Sequence, residues 1–140
     1  MTRSRRSHMQ DLADALELWT TTHPYSSYPC ETIAWRLVPA LESGRYRLYR
    51  DASGLPRGFI SWAYMTRQEF ETREYSGSEI FARDGGECLV FVDMIAPYGA
   101  NDVLLICRDM RRLFKEDYPR FDQVLAHRGR RNGIFPNIGG

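Results

Sequence analysis

The sequence predicts an α+β domain, with a mixed, mostly antiparallel sheet flanked by helices. Three observations carry that prediction. The apolar spacing is helical up to Gly44. It then switches to short apolar runs of strand length, Tyr46 to Tyr49 and Gly58 to Met65. From there helical and strand-like stretches alternate to about His127, which calls for helices layered on a sheet.

The 140 residues suffice for one domain, and the 43% hydrophobic and 13% aromatic content is that of a folded chain. The formal charge of +1 supplies no bulk field for nucleic acid. Thr2 to Ser7 read as a loose basic arm, and the domain is divided as arm 1–8, folded unit 9–128 and polar, Gly-rich tail 129–140. Leu12, Leu16 and Trp19 fall at i, i+4 and i+7, the stripe of an amphipathic helix over Met9 to Thr21. A polar stretch follows. Pro29 then suits the first turn of a second helix, which carries Ile33, Leu37 and Leu41 on one face and ends at Gly44.

Strands follow at Tyr46 to Tyr49 and Gly58 to Met65, joined by the turn Asp51-Ala52-Ser53-Gly54. Thr66 and Glu69 have capping-box spacing at the head of a helix over Thr66 to Tyr75. Ser76 to Gly86 reads as a Gly-rich loop before the most apolar strand, Cys88 to Ile95. Asn101 or Asp102 can cap a helix to about Tyr118, and Phe121 to His127 is the last expected strand. The run around Arg128, Arg130 and Arg131 reads as a solvated tail.

Cys30, Cys88 and Cys107 are odd in number, widely spaced and set among apolar neighbours. They read as core thiols in a reducing compartment, with no metal-ligand spacing. Trp19, Trp35 and Trp62 read as core aromatics, and His8 as part of the arm. No apolar run approaches membrane-span length, and no h-region follows the basic start, so the expected location is cytoplasmic.

Asp93 breaks the pattern, standing inside the most apolar strand between Val92 and Met94. A buried carboxylate costs several kcal/mol unless it is paired or hydrogen-bonded. It therefore either pairs with an arginine or caps a turn, or it orients a histidine or tyrosine in a cleft. The segment after it, Ile95-Ala96-Pro97-Tyr98-Gly99-Ala100-Asn101, joins strand to helix. Backbone N–H groups at such a helix start suit an anion such as a pantetheine carrier's phosphate, although the segment is neither a P-loop nor a dinucleotide fingerprint.

The stretch Phe91-Val92-Asp93-Met94-Ile95-Ala96-Pro97-Tyr98-Gly99 resembles the signature of the RTX-toxin-activating lysine acyltransferases. The similarity extends through Ser61-Trp62-Ala63, Tyr46 to Asp51 and Leu37-Val38-Pro39-Ala40-Leu41, spanning roughly residues 12–128. The element order is also similar to that of the GCN5-related acetyltransferases, the fold that this resemblance implies. It further implies acyl carrier protein as donor, bearing the acyl group as a phosphopantetheine thioester, with no bound cofactor. The implied acceptor is an internal lysine of a target protein such as an RTX-type toxin, and a homodimer is implied too.

In that family the catalytic pair is this aspartate and a histidine close before an aromatic-proline pair, here Tyr28-Pro29. An ungapped count puts that position on Tyr25; His23 matches if the loop carries an insertion, and His23 is the reading taken, with Tyr25 its alternative. A histidine can take the proton of a lysine ammonium, or attack the thioester itself. The loop Ile95, Ala96, Pro97, Tyr98, Gly99, Ala100 and Asn101 would bind the donor, and Trp62 can line an acyl tunnel. Two alternatives stay open: an acetyltransferase-like enzyme using acyl-CoA on another amine, and a non-catalytic module that binds an acyl group or partner.

Overall fold

The computed structural model describes residues 5–23, 25–128 and 131–136, with side chains placed within 8–23 and 25–127. The strands β1 (Tyr46–Arg50), β2 (Pro56–Met65), β3 (Cys88–Ile95), β4 (Gln123–Arg128) and β5 (Arg131–Pro136) form one sheet in chain order. Only β3 and β4 run parallel; the other neighbours are antiparallel. The helices are α1 (Arg5–Thr21), α2 (Cys30–Ser43), α3 (Arg67–Thr72), α4 (Gly77–Ala82) and α5 (Ala100–Asp117), with a 3-10 turn at Tyr25–Ser27. This is the expected mixed, mostly antiparallel α+β layering, and its order is compatible with an acetyltransferase-like fold.

Strand β2 explains the layering. Phe59, Ala63 and Met65 pack towards α1, α2, α3 and α4, whereas Ile60, Trp62 and Tyr64 pack against Ile106, Met110 and Phe114 of α5. A strand covered on both faces reads as a continuous apolar run rather than an alternation, as GFISWAYM does. Gly44, at φ 77°, closes α2 in the left-handed conformation expected of a helix-ending glycine. The Thr66–Glu69 capping box is present at the head of α3. Arg83 clamps that same Glu69, whose pKa its hydrogen bonds lower to about 2.

Several boundaries differ from the expectations. Helix α1 begins at Arg5, so Arg5 to His8 continue the helix instead of forming an arm; residues 1–4 lie outside the described residues. Arginine is a good helix former, and no breaker separates it from the amphipathic stretch. The buried positions of α1 are Asp11, Ala15, Leu18 and Trp19, with Leu16 at the exposed margin. Ser76 to Gly86 contains α4, whose Ile80 and Phe81 are buried against the sheet. Gly77 allows that packing, because a Cβ there would collide with the Trp35 carbonyl of α2.

The residue before α5 is Gly99, at φ 131°, rather than Asn101 or Asp102. The tail supplies a fifth strand, its register running from His127↔Asn132 to Gln123↔Pro136. An edge strand needs backbone partners more than apolar alternation, so the pattern gave no signal for it. Cys30 is exposed and Trp35 is 64% exposed, so neither is core; Trp19, Trp62 and Cys88 are buried as expected. Among the described residues no helix is long and apolar enough to cross a membrane. Gly129 and Arg130 of the basic run, and residues 137–140, lie outside the described residues.

Candidate active site

The two parallel strands hold together over a short length. The pairs Val90↔Leu125 and Phe91↔Ala126 join β3 to β4. Beside this point β3 is irregular: Ser61 of β2 opposes Asp93 while Trp62 opposes Phe91, which leaves Val92 as an extra residue. Such a bulge re-aims the side chains that follow it. Asp93 thereby reaches the α2 face, while Met94 packs with the α5 cluster.

A cavity of about 300 Å³ opens where these strands part. Helix α5 contributes Val103, Cys107, Met110, Arg111 and Phe114 to it, and β3 contributes Phe91, Val92, Asp93 and Met94. Val124, Ala126 and His127 of β4, with Ile60 and Tyr25, complete the wall. The lining is mainly apolar with a few polar groups, the make-up of a small-molecule site.

Asp93 is 3% exposed. Its Oδ1 accepts a charge-assisted hydrogen bond from Arg36 Nη2, which reaches over from α2. Burial nevertheless dominates and pushes the carboxyl up to about 6, against the lowering effect of Arg36. The guanidinium also lies over the rings of Trp19 and Tyr28, at 5.8 and 5.5 Å. Asp93 Oδ2, Arg36 Nε and the Oγ of Ser61, directly across the β2–β3 ladder, are all buried and find no hydrogen-bond partner among the described residues. Native structures rarely leave such atoms orphaned, and a buried water or an incoming polar group satisfies them.

Of the two candidates in the loop before α2, the structure seats Tyr25 in the cavity wall, whereas His23 is exposed. The Tyr25 hydroxyl makes a long hydrogen bond of 3.4 Å to the Met94 carbonyl, and its ring stands edge-on to Trp19 at 4.9 Å. Burial, and then the Asp93 charge, push the phenol well above its ordinary pKa. At neutral pH it is therefore a hydrogen-bond donor, not a base.

In the Ile95–Asn101 segment, Ile95 is buried in the core, Ala96 is half-buried, and Pro97 to Asn101 are exposed around the start of α5. Arg57 lies over the Tyr98 ring at 4.5 Å and pairs with Asp102 at 3.0 Å, which puts one cation beside the loop. Trp62 is outside the cavity wall; its Nε1–H donates to Tyr118 Oη at 2.9 Å within the α5 core. Among the described residues no group of three His, Cys, Asp or Glu side chains could hold a metal ion.

Residues 5–132 match the model of the RTX toxin acyltransferase family. The chain belongs to that family. It is 30% identical over 126 residues to the leukotoxin-activating lysine-acyltransferase of Aggregatibacter actinomycetemcomitans, covering 88% of this chain and 71% of that protein. It is 28% identical over 115 residues to the RTX-I toxin-activating lysine-acyltransferase of Actinobacillus pleuropneumoniae, covering 81% and 65%. A lysine-acyltransferase of Vibrio cholerae is 30% identical over 79 residues, covering 55% and 50%. The chain thus spans 71% of the first of these relatives and less than two thirds of the other two.

Membership in the RTX toxin acyltransferase family makes the chain an acyltransferase by descent. Within this member, the sequence reading missed two side chains at the site. Arg36 lies 57 residues from Asp93 and looked like any charge on a helix; the odd carboxylate in β3 was its only signal. His127 stands at the end of the last strand that the apolar pattern predicts, where nothing local marks it, yet it lines the cavity.

Proposed function

We propose that the chain transfers a fatty acyl group from acyl carrier protein to an internal lysine of a target protein, of RTX-toxin type. The observation that carries this reading is the mainly apolar cavity with a buried, half-satisfied carboxylate in its wall. The apolar strip of Val103, Met110, Phe114 and Ala126 suits the acyl chain. The carrier's phosphopantetheine arm would run out past Tyr98 and Gly99, with Arg57 near its phosphate and backbone N–H groups at the start of α5.

Asp93 Oδ2 offers the incoming ammonium a place that no group among the described residues fills, and a carboxyl with a pKa near 6 is mostly ionised at pH 7.5. The protonated Tyr25 hydroxyl is released from its long hydrogen bond at little cost and can donate to the oxyanion that forms on the thioester carbon. Deprotonating the lysine at pH 7 costs about 4 to 5 kcal/mol, so the site also needs a proton acceptor. The reaction belongs in the cytoplasm, where acyl carrier protein is found.

The test is co-incubation with myristoyl-acyl carrier protein and a lysine-bearing RTX-toxin fragment, read by intact mass. Wild type should add one acyl mass to the fragment, Asp93→Asn should add none, and Tyr25→Phe should be slowed about a hundredfold. Equal transfer by Asp93→Asn, or transfer from myristoyl-CoA alone, would count against the reading.

A further inference from the structure

We propose that His127 is the proton acceptor of the reaction, the imidazole at the site being supplied by strand β4. The inference rests on the acyl-transfer reading above, and it assigns to a named side chain the step that reading leaves open.

Four observations converge. His127 lines the same cavity as Asp93 and Tyr25. It shares a sheet face with Leu125, which packs towards α2 with Val90, and α2 is the side from which Arg36 holds Asp93. Its Nε2 lies 2.6 Å from the Phe70 carbonyl, which can only accept, so Nε2 carries the proton. Nδ1 is then the basic nitrogen, and among the described residues it accepts no hydrogen bond. Finally, the ring is stacked on Phe70 at 4.6 Å and 13°, which fixes its orientation as well as its tautomer.

The surroundings keep the imidazole neutral and ready to accept. Burial holds its pKa below the ordinary value against the opposing hydrogen bond to the Phe70 carbonyl, and the guanidiniums of Arg73 and Arg36 lower it further. Facing it across the cavity wall are Asp93 from β3, Tyr25 from the loop before α2, and Cys107 and Arg111 from α5. Asp93 brings a carboxylate to the same cavity wall, where Arg36 pairs with it.

Nδ1 takes one proton from the acceptor lysine ammonium, and the freed amine attacks the thioester carbonyl carbon. The C–S bond breaks as the amide forms. The proton that the nitrogen sheds on becoming an amide goes to the leaving pantetheine thiolate, and the imidazolium returns its own proton to solvent.

The experiment uses the full chain with myristoyl-acyl carrier protein and the RTX-toxin fragment, comparing wild type, His127→Gln, His127→Ala and Asp93→Asn. His127→Gln keeps a donor for the Phe70 carbonyl. It should fold, keep KM for the carrier within about twofold, and lose about a hundredfold or more in kcat. Added imidazole should restore His127→Ala and leave Asp93→Asn inactive. The acid limb of the kcat/KM profile that belongs to the imidazole should vanish in His127→Gln. Wild-type kcat in His127→Gln, or a loss that imidazole does not restore and that runs parallel to a loss of carrier binding, overturns the assignment while leaving the acyl-transfer reading standing. Absence of transfer by wild type overturns that reading, and the assignment with it.

Discussion

Replacing Arg36 with methionine isolates what holds Asp93 in place. Burial pushes the carboxyl up to about 6 in the folded chain, against an ordinary value of 3.8. The difference is about 2 units, or roughly 3 kcal/mol of net burial cost that remains even with the arginine present. A pKa raised on folding means stability that is fully present below about pH 4 and is lost as pH rises towards 6. Above that the wild type should be level with respect to this group.

Without Arg36 the carboxylate loses its cation and the pKa rises further. Breaking a buried pair costs about 3 to 5 kcal/mol. The lower end applies here, since the Arg36 side chain is 25% exposed. The variant should therefore keep losing stability from pH 6 towards about 8, by about 1.4 kcal/mol per pH unit. Lost stacking over Trp19 and Tyr28 adds about 1 kcal/mol that does not depend on pH.

Urea unfolding at pH 5 and pH 9 reads both parts. The gap between wild type and Arg36→Met should be about 1 kcal/mol at pH 5 and about 4 at pH 9. Combining Arg36→Met with Asp93→Asn should remove most of the pH-dependent part. An equal gap at both pH values would refute the reasoning, because the loss would then be packing alone.

Three further outcomes follow from the packing. Gly77→Ala should destabilise by about 1 to 3 kcal/mol in thermal unfolding, because the added Cβ meets the Trp35 backbone rather than a side chain that could move. Under native conditions a thiol reagent should modify exposed Cys30 rapidly and buried Cys88 only after urea unfolds the chain, as peptide mapping would show. Ala126→Leu narrows the cavity and should shift the preferred donor towards shorter acyl chains by about tenfold or more, read as relative kcat/KM across carriers of different chain length.

The sequence reveals what depends on local chemistry. The capping box at Thr66 and Glu69, the glycine that ends α2 and the doubly covered strand β2 each carry their own signal, and each is present. So does Asp93, because a carboxylate in an apolar strand demands a partner. The identity of that partner was not legible, since Arg36 meets it only after a crossover of 57 residues. The bulge at Val92 was also silent, since it arises from register between strands and not from either strand alone. His127 looked inert for a related reason: its ring is fixed by the Phe70 carbonyl, and no sequence pattern announces a backbone acceptor. Trp35 and Cys30 are exposed although the sequence reads them as core, because an apolar residue on a helix carries no sign of which neighbouring element will cover it. Strand β5 owes its place to ladder hydrogen bonds with β4, which composition does not encode.

The most direct measurement loads acyl carrier protein with a fatty acyl chain ending in a photoreactive diazirine, irradiates it with the protein, and maps the cross-links by tandem mass spectrometry. If the acyl chain enters where β3 and β4 part, the label should fall on Val103, Met110, Phe114 and Ala126, and the Asp93→Asn variant should label the same residues without transferring the chain. Label confined to the exposed Trp35 and Val38 of α2, or none above that seen with the free fatty acid, would contradict the placement of the donor in this cavity.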